Sequence, residues 1–358
     1  MTTLMRASNE WTYRPPDERF NSIEAARDAI LKRTKTMKVA VLDWTALQVK
    51  PNADGSKMLL NGRTRAAELN YHSFGQLCER VKAPADYLRK LPLELAALNL
   101  NTGIQLRGDG SNQAKVILGD EAEGLECRGL VTTNYSQVLD LDFANRLVKL
   151  KEAGIGWQEA PAAFDGSRGQ YAGKSNCFFF FVDNTRRIFE KDPNGGLGRG
   201  VFVWNSEVGD RSWGFMTFLY EYICGNHRVW GAKGVQEIRG VHRGQAHDKA
   251  FKTFEVEIKK YGESSATELE GQIERARRFS LGATKDEVLD LIFQRGLMGR
   301  KKAEEAYTLA ETHEGWYGSP NTAWGFAGGM TQMARDLPNA DERTELDRAA
   351  GRVLEMAF

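Results

Sequence analysis

Apolar and aromatic residues are densest between Gly173 and His247, where they fall in strand-length runs separated by glycines and short polar turns. SNCFFFFVDNTRRIFEK predicts one long strand, DPNGGLGRG a glycine-rich connection, VFVWNSEV a second strand, RSWGFMTFLYEYIC a third and HRVWG a fourth. HDKAFKTFEVEIKKYG then changes to helical spacing, with Phe251, Phe254, Val256 and Ile258 expected to face partly inward. The pattern predicts a central antiparallel β-meander crossed on one face by a helix.

Upstream, Ser22 is placed to cap a helix over IEAARDAILKRTK, and Val39 to Leu47 reads as a strand ending before the turn PNADG. Ser73 and Gln76 stand at capping-box spacing, which predicts a helix that starts there, buries Leu77 and Val81 and breaks near Pro84. A second short helix carries Tyr87 and Leu88 towards Pro92. His72, just ahead of that cap, is expected to satisfy a nearby backbone group. Strands resume with QAKVILG and LECRGLVTTNYSQV. Asp140 or Asp142 then caps a helix burying Phe143, Leu147 and Leu150, a junction expected to leave Tyr135 and Asp140 near the surface.

The end of the chain reads as helices. Thr284 and Glu287 form a second capping box for a helix ending at Gly296, followed by GRKKAEEAYTLAETH, NTAWGFAGGMTQMARDLP and DERTELDRAAGRVLEMA. Gly325, Ala327, Gly328 and Gly329 mark either a very close helix contact or a kink. The expected organisation is therefore α+β. A flexible arm spans 1–20, an α+β core 21–262, and a helical C-terminal region packed on the core 263–358.

Composition narrows the function classes. Lys and Arg number 49 against 48 Asp and Glu, so an anionic partner must be met by a local patch. The four cysteines lie far apart without a CxxC pair, the pattern of reduced thiols in a cytoplasmic protein. No apolar run approaches the roughly 20 residues of a membrane span, and the N-terminus has no signal-peptide core, so no membrane association is expected.

Three constellations carry candidate chemistry. Between Arg211 and Lys252 there are seven Lys or Arg against three acids, interleaved with Trp204, Trp213, Tyr220, Tyr222 and Trp230. This is the mixture single-strand binders use, cations following phosphates while aromatic faces stack on bases. Its nucleic-acid-binding set is Arg211, Arg228, Trp230, Lys233, Arg239 and Arg243, joined by Arg186, Arg187, Lys191 and Arg199 from the preceding hairpin. The competing reading makes the aromatics core and the cations a solvated face. Cys224, His227, His242 and His247 have spacings that zinc sites use. Asp183, Glu207 and Asp210 are the acids a magnesium-dependent nuclease would gather. Neither zinc nor magnesium is required by the residues, and no hydrolase triad motif is present.

Short motifs also carry a resemblance. YHSFGQLCERVKAPADYLRKLPLELAALNLN at Tyr71–Asn101, RGLVTTNYSQVLDLD at Arg128–Asp142, NSEVG at Asn205–Gly209, Cys224–Asn226 and the tail NTAWGFAGG resemble the phage/plasmid-like protein family. That resemblance implies an origin in a phage, prophage or mobile element and brings no established activity. The meander, its crossing helix and the arginine-bearing hairpin resemble, in topology alone, the core of single-strand annealing proteins, which assemble into rings or filaments around DNA. The expectation is a non-catalytic, homo-oligomeric single-stranded DNA-binding or annealing protein of recombination or replication, in the host cytoplasm. The alternatives are a metal-dependent nucleic-acid enzyme and a host-directed factor that binds a protein through an apolar patch around Trp316–Trp324.

Overall fold

The computed structural model describes residues 18–62, 65–107, 113–121, 124–152, 157–159, 170–189, 196–221, 227–228, 237–244, 246–263, 267–336 and 340–357. The first half of the chain opens with β1 (Arg19–Phe20) and α1 (Ile23–Thr36), then β2 (Lys38–Asp43), β3 (Gln48–Pro51), β4 (Met58–Asn61) and β5 (Ala67–Leu69). Helices α2 (Tyr71–Arg80), α3 (Ala85–Leu88) and α4 (Leu93–Arg107) follow, then β6 (Gln113–Glu121), β7 (Gly124–Thr132) and α5 (Asp140–Glu152). The second half brings β8 (Trp157–Glu159), β9 (Gln170–Ala172), β10 (Cys177–Ile188), β11 (Leu197–Asn205), β12 (Trp213–Glu221), β13 (His227–Arg228) and β14 (Glu237–Gly240). It closes on α6 (Ala246–Glu263), α7 (Thr267–Arg278), α8 (Lys285–Gln294), α9 (Arg300–Thr312), α10 (Glu314–Tyr317), α11 (Ala323–Asp336) and α12 (Ala340–Glu355).

The strands form two sheets. The smaller, six-stranded, has the order β2-β6-β7-β5-β4-β3 and is antiparallel except where β5 joins β7. Leu77 and Cys78 of α2, Val81 just after it, and Ala96, Leu100 and Ile104 of α4 pack on its Val116, Leu118, Cys127 and Leu130. The larger, eight-stranded, is the predicted meander, β10, β11 and β12 pairing in antiparallel sequence. Phe179 and Phe181 of β10, Val201 and Val203 of β11 and Phe215 of β12 share a core with α1, α5 and α6. There Phe254 of α6 meets Phe143 and Phe215 edge-on. Val256 is 60% exposed, contrary to expectation. Its place on α6 falls between the Phe254 and Ile258 turns, outside the i, i+4 stripe that meets the sheet.

The C-terminal helices build a third core around Trp324, Phe326 and Met330, and Ile188 of β10 and Leu197 of β11 join it from the far end of the meander. Helix α11 runs unbroken, so its glycines serve close contact and not a kink. A Cβ at Gly328 would stand 2.4 Å from the Tyr317 ring.

Local signals read well where both partners are near in sequence. Ser22 accepts from Ala25 N at the start of α1, and Thr284 from Glu287 N at the start of α8. At α2 the cap is Asn70, which accepts from Ser73 N, so the helix begins ahead of Ser73. Helix α4 was not foreseen. Its LELAALNLNTGIQLR is apolar all round, leaving Leu95, Leu98 and Leu106 exposed, so no one-sided stripe announces it.

Candidate functional site

The two sheets meet at the turn between β11 and β12, Asn205–Asp210, and side chains from α2 and from the loop between β7 and α5 hold its backbone. Tyr135 Oη donates to Ser206 O at 2.8 Å and Gln137 Nε2 to Glu207 O at 3.1 Å. Gln76 Nε2 donates to Val208 O at 2.9 Å, while Gln76 Oε1 accepts from Leu130 N of β7 at 2.7 Å. The residue that looked like half of a capping box thus ties α2, the smaller sheet and the turn together. His72 Nε2 donates to the same Val208 carbonyl at 3.3 Å, a long-range bond and not the local one expected. Ser206 Oγ donates to Ser175 O at 2.7 Å and accepts from Asp210 N at 2.9 Å.

Packing is equally close. A Cβ at Gly129 of β7 would lie 2.9 Å from both Val208 Cβ and Val208 O. Gly209 has φ +83° with Val131, Gln76 and Tyr135 around it. Only glycine takes that backbone without strain.

Glu207 carries the electrostatics. Its carboxylate is fully buried, with Arg128 Nη2 at 3.1 Å and Arg33 Nε at 3.9 Å. Asp140 N donates to it at 3.3 Å. Asp140, expected near the surface, is fully buried beside it, accepting from Arg33 Nη2 at 3.2 Å and Asn205 Nδ2 at 2.7 Å. The expectation missed this because Asp140 begins α5 as predicted, but its charge faces the sheet junction. Burial and the Glu207 carboxylate raise the Asp140 pKa, against the opposing pull of Arg33. Two arginines facing two acids keep the cluster neutral overall, the condition under which buried charge is tolerated.

The described cysteines are poor nucleophiles. Burial pushes the Cys78 thiol up to about 11 and Cys127 to about 12, and burial with Asp140 holds Cys177 well above its usual value. A reactive cysteine needs the opposite shift.

Asp210 ends the turn, accepting from Asn176 Nδ2 at 2.5 Å and Arg211 Nη2 at 3.1 Å, with His72 Nδ1 at 3.4 Å. It forms the floor of an open cleft of about 710 Å³ whose walls include Glu68, Tyr71, Glu79, Glu126 and Lys174.

The candidate residues of the sequence divide sharply. Arg199 lies in mid-sheet opposite Asp183, 3.5 Å from its carboxylate and 1% exposed. Arg211 is 9% exposed, over the Phe178 ring at 4.6 Å. Both were expected to hold phosphates, and both instead neutralise acids inside the fold. Arg186 and Arg187 lie at the far end of β10, Arg228 on β13, Arg239 on β14, and Arg243 is exposed. Lys191, Trp230 and Lys233 lie outside the described residues.

The acids proposed for a nuclease do not converge: Asp183 pairs with Arg199, Glu207 with Arg128 and Asp210 with Arg211. Among the described residues no three ligating side chains gather. Of the zinc set, Cys224 lies outside the described residues, His227 sits on β13 and His247 on α6. His227 pairs with Tyr220 and Gly240 with Trp213, seven residues apart along β12, roughly 23 Å at 3.3 Å per residue. His242, two residues past Gly240, therefore lies too far from His227 to share one zinc ion.

His242 is 6% exposed, stacked on Tyr135 at 4.9 Å with Nδ1 donating to Ser136 O at 3.2 Å. Burial lowers its pKa from 6.5 to about 4. The unfolded chain takes up a proton below pH 6.5 that the folded chain refuses until about 4, so stability is lost as pH falls through that window. His242→Gln is expected to shrink the stability lost between pH 7 and 4.5 by about 2 kcal/mol, read from urea unfolding at both values. Equal acid losses in the two proteins would contradict this.

Trp316, in the patch considered for a protein partner, is 40% exposed and stacks on His313 at 5.0 Å, whereas Trp324 is buried. Among the described residues no helix is long and apolar enough to cross a membrane.

No family model, curated protein or solved structure matches the chain. The functional reading rests on the geometry and on the residue chemistry.

Proposed function

We propose that the protein binds single-stranded nucleic acid along the outer edge of its eight-stranded sheet, without catalysing a reaction. One observation carries this reading. β13 and β14 both pair with the same side of β12, setting Arg228 opposite Leu219 and Arg239 opposite Gly214. Those positions are about 17 Å apart at 3.3 Å per residue. Exposed Arg243 follows β14 and bridges to Tyr135, so three arginines are spread along one sheet edge, Arg228 and Arg239 at positions of opposite faces because Leu219 and Gly214 are five residues apart. The connection between β13 and β14 holds Trp230 and Lys233, and both of its ends are pinned to β12. Cations spread along one edge, with an aromatic residue between two of them in sequence, are the chemistry of sequence-tolerant strand binding. Recombination or replication of a mobile element is the setting proposed for such binding, and assembly of several copies would extend the edge into a continuous track.

Fluorescence anisotropy with labelled single-stranded and duplex oligonucleotides, from low to moderate salt and with or without magnesium, tests the reading. The expected result is salt-sensitive binding that favours single strands and leaves the oligonucleotide intact. Arg239→Ala and Arg243→Ala should each weaken binding and flatten the log–log salt slope by about 0.7. Absence of binding at low salt, where phosphate contacts are strongest, overturns it.

A further inference from the structure

The cleft beside the Asn205–Asp210 turn has a flat wall that is fixed in advance. Tyr71, the first residue of α2, is 74% exposed, a high value for an aromatic side chain. Its ring is nevertheless held. The Arg89 guanidinium lies 3.8 Å from the ring centroid and donates to Tyr71 O at 3.0 Å and to Asp86 Oδ1 at 3.1 Å. One ring face is therefore covered by a cation that two hydrogen bonds hold, and most of the side chain is exposed beside the cleft. A pre-positioned aromatic face binds a planar partner with little ordering cost.

The polar groups around it select the partner. Five carboxylates, Glu18, Glu68, Glu79, Glu126 and Asp210, line the cleft against two cations, Arg89, which is bonded to Asp86, and Lys174, which is engaged at 2.7 Å by Glu126. Phosphate is disfavoured by such a lining. A planar heterocycle with an exocyclic amino group meets an aromatic face and carboxylate acceptors together, as when Glu or Asp accepts from cytosine N4. The volume, about 710 Å³, has ample room for one base.

Position connects the cleft to the arginine edge. Gly209 and Asp210 line the cleft, Tyr135 packs against Gly209, and Tyr135 bridges to Arg243. The cleft and Arg243 are therefore both neighbours of Tyr135.

We infer that the cleft receives one unpaired, amino-bearing nucleobase (adenine, cytosine or guanine) of the bound strand, stacked on Tyr71 with its amino group on a cleft carboxylate. The inference rests on the strand-binding reading above and gives it a base preference.

The test compares labelled oligo-dA, oligo-dC and oligo-dT of one length at fixed salt, against the wild type, Tyr71→Ala, Tyr71→Phe and Glu79→Gln. Wild type should favour dA and dC over dT. Tyr71→Ala should weaken dA and dC binding roughly 5- to 160-fold, the range for one lost base stack, with the salt slope unchanged. Tyr71→Phe should keep the affinity, and Glu79→Gln should narrow the dA and dC advantage. Tyr71 and Glu79 are both exposed, so these variants retain the fold. Equal, salt-sensitive binding of the three homopolymers with no effect of Tyr71→Ala overturns the base pocket and leaves the arginine edge standing. No binding of any homopolymer overturns both.

Discussion

Arg128→Met should lower the unfolding free energy by about 3–5 kcal/mol, the range for breaking a buried ion pair from one side. Arg128 is fully buried, and its Nη2 donates both to Glu207 Oε1 at 3.1 Å and to Lys174 O at 2.6 Å. Without it Glu207 keeps the Asp140 N–H and, as cation, Arg33 at 3.9 Å, which already serves Asp140 at 3.2 Å. Two buried carboxylates would then share one cation, and the excess charge has no water to relax into. Urea unfolding of wild type, Arg128→Met and Arg128→Met/Glu207→Leu decides the matter. The double variant removes charge of both signs and leaves Arg33 with Asp140, so it should recover more than half of the single variant's loss. A single-variant loss under about 1 kcal/mol would mean that the pair is not what holds the turn.

The same cluster marks where sequence reading stops. Ser22 and Thr284 were legible because a capping bond closes over three residues, and the meander because strand alternation and glycine turns are local. Asp140 looked like a surface cap by the same logic. Its actual partners, Arg33 and the Glu207 carboxylate, stand 107 and 67 residues away. Gln76 was similarly misread, since its spacing to Ser73 is that of a capping box while its bonds run to Leu130 and Val208.

The candidate site was legible as a composition and not as a place. Arginines interleaved with aromatics pointed to nucleic acid, but only strand pairing separates Arg199, which neutralises Asp183 in mid-sheet, from Arg228 and Arg239 on the edge. Tyr71 carried no signal of its own. An exposed tyrosine pinned by an arginine 18 residues later emerges only when α2 and the residue after α3 are set side by side.

Gly329→Ala should destabilise the protein by about 3 kcal/mol or more, at the upper end of what overpacking costs. The sign is opposite to the intrinsic effect, because alanine in a helix interior is better than glycine by roughly 1 kcal/mol. Gly329 lies within α11, and an added Cβ would stand 2.0 Å from Ala306 O and 2.8 Å from Ala310 Cβ of α9. Those neighbours are backbone and a short side chain, so no rotamer change relieves the contact and the two helices must separate. Separation would loosen the core around Trp324, Phe326 and Met330, with which Ile188 and Leu197 of the meander also pack. Gly315→Ala in α10 is the control. Nothing lies within 4 Å of its added Cβ, so propensity alone acts and stability should hold or rise by up to about 1 kcal/mol. Thermal and urea unfolding of the two variants should therefore move in opposite directions. If both shift alike, helix propensity governs this region and the close contact between α9 and α11 does not set its stability.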